Sequence, residues 1–151
     1  MKKIWFLVVA LLCFAYSQQA NPQGNTAKQP TKDSTNQNIS LTGYWVWEKN
    51  SDASDFDVEI TKKGNAYIGE YCATAYHGNR IDCGRANDPP SFKIENIQGN
   101  EFTVAFKTYY GGGTGKVKIR IEGDTMYWEI VKKPKGEYYC PDAAVLKRTK
   151  K

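Results

Sequence analysis

A chain of 151 residues with 40% hydrophobic and 25% charged side chains has room for one domain. Its net charge of +5 shrinks once residues 1–40 are set aside, leaving seventeen basic side chains against fifteen acidic ones. Such a balance lacks the clustered basic footprint that a phosphate backbone demands, so nucleic acid is excluded as an expected partner.

The first predicted element is a secretory signal peptide over residues 1–17. Lys2 and Lys3 precede an apolar run from Ile4 to Ala15, and Ala15-Tyr16-Ser17 supplies a small-x-small cleavage site. The run is too short to span a bilayer comfortably. Cys13 offers lipidation as the alternative, but Leu11 and Leu12 stand where a lipoprotein signal carries small residues. A periplasmic or secreted location is therefore expected, with no membrane contact unless Cys13 is lipidated. Residues 18–40, rich in Gln, Asn, Thr, Lys, Pro and Ser, cannot bury enough apolar surface to offset their ordering entropy, and read as a disordered polar linker.

From residue 41 to 151 the pattern has period two, broken by a turn every ten or so residues. Gly43 to Trp47 opens the domain with Trp45 and Trp47 on one face and Tyr44 and Val46 on the other. Phe56, Val58 and Ile60 alternate with Asp55, Asp57 and Glu59, which read as a solvated outer face. Lys63-Gly64-Asn65 turns the chain into Ala66 to Ala73, and His77-Gly78-Asn79 turns it into Arg80 to Cys83. Asn87-Asp88-Pro89-Pro90 is a loop. Phe92 to Ile94, Phe102 to Phe106, Val117 to Ile121, Met126 to Ile130 and Ala143 to Arg148 complete a meander. Eight or nine short strands and no helix predict an all-β, single antiparallel up-and-down β-barrel of about eight strands, since closure removes the sheet edges. A two-sheet sandwich is the alternative.

Gly43-x-Trp45 on the first strand, with Lys147-Arg148 on the last, resembles the signature of the calycins (lipocalins, fatty-acid-binding proteins and the avidin group). Leu41-Thr42-Gly43-x-Trp45 followed by Gly69-Glu70-Tyr71 is similar to the avidin group in particular. The resemblance implies that Trp45 plugs one barrel end and that Arg148 packs over it, with Trp47 beside them at a barrel-end or ligand position. Trp47, Glu48 and Lys49 depart from the polar residues of an avidin-type biotin site, so biotin is not carried over.

Beyond the signal peptide three cysteines remain. Cys72 and Cys83 flank the His77-Gly78 turn, and a two-residue turn there sets them directly across the ladder, which favours a disulfide in an oxidising compartment. Cys140 is then free and buried, joined to another chain, or the partner of one of the other two. No metal site is expected, because the cysteine spacings match no ligand pattern and His77 is the only histidine. Catalytic residues are not expected either. His77 sits beside a glycine in an exposed turn, no nucleophile or metalloprotease motif occurs, and Gly111-Gly112-Gly113 lacks the Lys-Ser/Thr of a phosphate loop and reads as a flexible link. No cofactor is implied.

Aromatic content is high, with ten Tyr, four Trp and six Phe. Trp45, Phe56, Phe102, Phe106 and Trp128 suit the barrel interior, whereas Tyr109-Tyr110 and Tyr138-Tyr139 fall in or near loops. Tyrosine offers a large rigid area with a polar tip, which suits recognition surfaces and barrel ends alike. The expected function is that of a non-enzymatic binding protein engaging another protein through Tyr76, His77, Tyr109, Tyr110 and Gly112. In size, export signal and strand pattern it is similar to periplasmic inhibitors of cell-wall hydrolases and to toxin-immunity proteins. The alternative is a calycin-like carrier holding a small apolar ligand inside the barrel, which requires a cavity of several hundred Å³.

Overall fold

The computed structural model describes residues 40–150. The predicted signal peptide, Cys13 and all of the linker but Ser40 lie outside the described residues. Nine strands occur among them: β1 (Gly43–Trp47), β2 (Ser54–Lys63), β3 (Ala66–Ala75), β4 (Arg80–Cys83), β5 (Phe92–Ile94), β6 (Glu101–Lys107), β7 (Thr114–Glu122), β8 (Thr125–Lys132) and β9 (Ala143–Thr149). No helix forms among the described residues.

All pairings are antiparallel. Eight strands close a ring in chain order, from β1 through β2, β3 and β5 to β9 and back to β1. β4 is the ninth strand and stands outside the ring. β3 is long enough to serve two neighbours along one edge: Tyr67, Ile68 and Gly69 pair with β5, while Cys72 to Ala75 pair with β4. This closed eight-strand antiparallel barrel fits a calycin-like fold.

The period-two alternation read along the chain becomes an inside and an outside. Phe56, Val58 and Ile60 of β2, and Val117, Ile119 and Ile121 of β7, are each at most 1% exposed. Trp128 is the hub of the core. Its ring lies 5.3 Å from Phe56 and 5.5 Å from Phe106, both edge-on, and 6.1 Å from Phe92. Edge-to-face rings at such separations add to the area they bury.

The barrel has a turn end and a loop end. At the turn end Arg148 places its guanidinium 4.2 Å over the ring of fully buried Trp45. It donates to the carbonyls of Thr42 and Ser40 and pairs with Asp124 at 3.0 Å. Gly43 makes room for this plug. Its φ is +152°, and a Cβ there would lie 3.1 Å from Nη1 of Arg148. The juxtaposition implied by the Gly-x-Trp resemblance is thus present. Trp47 shares the barrel but not the plug, for it pairs with Leu146 farther along and is half-buried against the core.

Candidate functional site

The loop end gathers three connections: the β3–β4 hairpin, the 108–113 link between β6 and β7, and the 133–142 segment between β8 and β9. Each is fixed by local chemistry. Cys72 and Cys83 are register partners and form the disulfide predicted from their spacing. The turn they flank has four residues, 76–79, in place of the two expected, because the ladder stops at Ala75–Arg80. Tyr76 and His77 lie at φ +53° and +57°, and Gly78 follows at +81°. A left-handed bulky residue such as Tyr76 persists only where its surroundings hold it there. Here the His77 N–H donates to Ala53 O at 3.1 Å, and Asn79 Nδ2 donates to Tyr76 O at 2.8 Å.

The glycines of the 108–113 link form a contact surface, where a flexible connector was expected. A Cβ on Gly111 or Gly113 would overlap the carbonyl oxygen of Glu137 or Lys135, and one on Gly115 would lie 2.5 Å from Lys132 O. Alternate positions free of side chains therefore let the 132–137 backbone lie directly on this strand. The neighbouring Thr108 is fully buried, with its hydroxyl 3.3 Å from Gly113 O.

What ties the three connections together is Asp82, which the sequence reading did not single out. It is 0% exposed on β4, between Ile81 at 59% and half-buried Cys83. Its Oδ1 accepts the N–H of Tyr109 at 2.8 Å and of Tyr110 at 2.7 Å, and its Oδ2 accepts the N–H of Tyr139 at 3.0 Å. A carboxylate taking backbone N–H groups forms charge-assisted bonds stronger than neutral ones. Asp82 thereby does for these loops what a strand ladder does elsewhere. The only sequence signal for it is an acidic residue one step from a cross-strand cysteine.

The consequence is an alternation among the tyrosines. Tyr109 turns inward, its ring 5.4 Å from that of Tyr71 and packed over Gly84, where a Cβ would meet it at 2.7 Å. Burial, with Glu70 adding to it, pushes the Tyr109 hydroxyl up to about 12. Tyr138 donates to Asp142 at 2.8 Å, and Lys133 pairs with the same carboxylate at 2.6 Å, which holds Asp142 below the ordinary carboxylate value. Tyr76 and Tyr110 face outward, 66% and 45% exposed. Both pack edge-on against Tyr139, at 6.2 and 4.8 Å. Arg80 Nε donates to the Tyr139 hydroxyl at 3.0 Å, and that hydroxyl donates to Glu137. A surface cleft of about 330 Å³ lies among Tyr76, Asn79, Arg80, Glu137 and Tyr139.

Of the residues expected to contact a partner, Tyr76, His77, Tyr110 and Gly112 are exposed at this end and Tyr109 is half-buried. Tyr139 and Arg80 join them in space, though nothing in their spacing from Tyr76 or Tyr110 could have revealed it. Cys140 is a free, buried thiol. Burial, and then Asp82, pushes it up to about 12, and its neighbour Tyr71 is raised by burial and by Cys140 and Asp82. Such a thiol stays protonated and inert at neutral pH. No group of His, Cys, Asp and Glu suited to a metal ion occurs among the described residues.

At Trp47 the barrel wall offers a second recess, about 480 Å³, bordered by Lys118, Arg120, Tyr127 and Glu129. Lys118 pairs with Glu129 at 2.6 Å, and Arg120 stacks 4.0 Å over Tyr127. Compared with known proteins, the chain matches no family model, no curated protein and no solved structure.

Proposed function

We propose that this is an exported, non-enzymatic binding protein of calycin-like fold whose loop end engages another protein, in the manner of a hydrolase inhibitor or a toxin-immunity protein. The observation that carries this reading is the group Tyr76, Tyr110 and Tyr139: the exposed rings of Tyr76 and Tyr110 pack edge-to-face on half-buried Tyr139, and Asp82 holds the backbone of Tyr109, Tyr110 and Tyr139 by three hydrogen bonds. Rigid tyrosines lose little conformational freedom on docking, and interfaces draw most of their energy from such anchors. The Cys72–Cys83 disulfide is compatible with export to an oxidising compartment. Packing of Trp45, Phe56, Phe106 and Trp128 through the barrel interior gives no support to the interior-carrier alternative.

Capture from a cell-envelope fraction with the parent protein and with the Tyr76→Ala/Tyr110→Ala variant tests the reading. A partner retained in stoichiometric amount by the parent should be lost with the variant, at an unchanged melting temperature. Anchors of this kind contribute upwards of about 2 kcal/mol each. Equal capture by both proteins rejects the tyrosine surface.

A further inference from the structure

We propose that the outer face of β6–β8 near the loop end docks on an anionic lipid bilayer. Register places Lys107 opposite Thr114, Lys116 opposite Ala105, and Lys116 directly opposite Lys132. Three exposed lysines therefore occupy neighbouring positions on three adjacent strands, and exposed Lys135 follows just past β8. Like charges facing each other across a ladder destabilise it, and no ion pair relieves these four among the described residues. The other basic side chains of β6–β9 and the segment after β8 are matched: Lys118 with Glu129, Arg120 with Glu122, Lys133 with Asp142, Lys147 with Glu48, and Arg148 with Asp124. Among these strands the unmatched charge is concentrated in one place.

A register shift at Lys116/Val117 adds a second feature. Val117 pairs with Ile130 and Lys116 with Lys132, so Val131 is the extra residue of a β-bulge and stands 48% exposed beside the lysines. Bulges re-aim side chains. An apolar tip beside these lysines, on the wall of a closed barrel, complements a headgroup layer: the ammonium groups reach the anionic surface while the tip enters the acyl boundary. All four cations are lysines. Compact charges on flexible stems suit a dense, mobile anionic layer, whereas fixed carboxylates of a protein partner are matched better by arginine. Net charge conceals this surface, because carboxylates elsewhere on the barrel balance the total.

Flotation of the mature protein, residues 18–151, with vesicles of equimolar phosphatidylglycerol and phosphatidylcholine, against phosphatidylcholine alone, tests the proposal. The parent should partition onto the anionic vesicles preferentially and release with added salt. Lys107→Gln/Lys116→Gln/Lys132→Gln should lower partitioning about a hundred-fold. A matched variant at the turn end, Lys62→Gln/Lys63→Gln/Lys93→Gln, should retain it. Val131→Asp, which keeps every lysine, should lower it too, and melting curves verify that each variant is folded. Equal partitioning by the parent and the Lys107→Gln/Lys116→Gln/Lys132→Gln variant overturns the proposal, as does an equal loss in the matched variant. Lysine-dependent retention on poly-L-glutamate without vesicle binding overturns it in favour of an acidic protein.

Discussion

Asp82 and Ile81 invert the usual rule, with the carboxylate inside and the aliphatic side chain in solvent. The inversion is stable because each carboxylate oxygen meets backbone N–H groups that would otherwise lack a ladder partner. Truncation leaves those donors unsatisfied, at about 1–3 kcal/mol for each one that is buried. Asp82→Ala should therefore lower the urea midpoint by an amount equivalent to roughly 3 kcal/mol. It should also increase the amide exchange of Tyr109, Tyr110 and Tyr139 beyond that of the barrel strands. Uniform exchange across the protein would show that the carboxylate does not organise the loops. No sequence pattern marks this residue. Its role depends on three backbone groups 27, 28 and 57 positions away.

At the scale of elements, strand alternation and turn residues made most of the sheet legible, because each strand buries one face and a slip of one residue would expose it. The disulfide was legible for the same reason: sequence spacing fixes which residues oppose each other. Reducing it, or replacing Cys72 and Cys83 by serine, should lower stability by about 2–3 kcal/mol in chemical denaturation, the scale expected for a loop of this length. The glycine run was less legible, since a glycine kept for flexibility and one kept for close packing look alike in one sequence. Substitution separates them. Gly113→Ala must displace the 132–137 backbone and should cost about 1–3 kcal/mol, read as a fall in melting temperature. A loss close to zero would restore the flexible-link reading. Tyr139 was legible as a loop tyrosine, but its grouping with Arg80, Tyr76 and Tyr110 was not, because these meet only once the hairpin and the β8–β9 segment come together.

For the whole molecule, the buried ionisable groups set an alkaline limit. Cys140 and Tyr109 are pushed up to about 12 from ordinary values of 9.0 and 10.0, and Tyr71 is raised further in the same direction. An unfolded chain would release these protons first, so above pH 9 it binds fewer protons than the native protein. Stability is thus intact below about pH 9 and is lost progressively as pH rises towards 12. Tyrosinate absorbance and circular dichroism followed together should show a late ionisation step coincident with loss of the β-sheet signal. Ionisation of every tyrosine while the fold persists would contradict this. Alkylation at neutral pH should modify Cys140, identified by peptide mapping, only after denaturation.

Closure of the ring depends on β1 meeting β9, with Trp45 opposite Arg148 across 103 positions of chain. Hairpins such as β2–β3 and β7–β8 join near neighbours and can form early, whereas this seam is the least local pairing in the sheet. During synthesis the first strand therefore waits for the last. Until residue 149 has left the ribosome, β1 has no β9 to pair with and Trp45 has no guanidinium above it. The nascent chain remains an open ribbon, and the folded barrel can exist only after translation has passed its final strand.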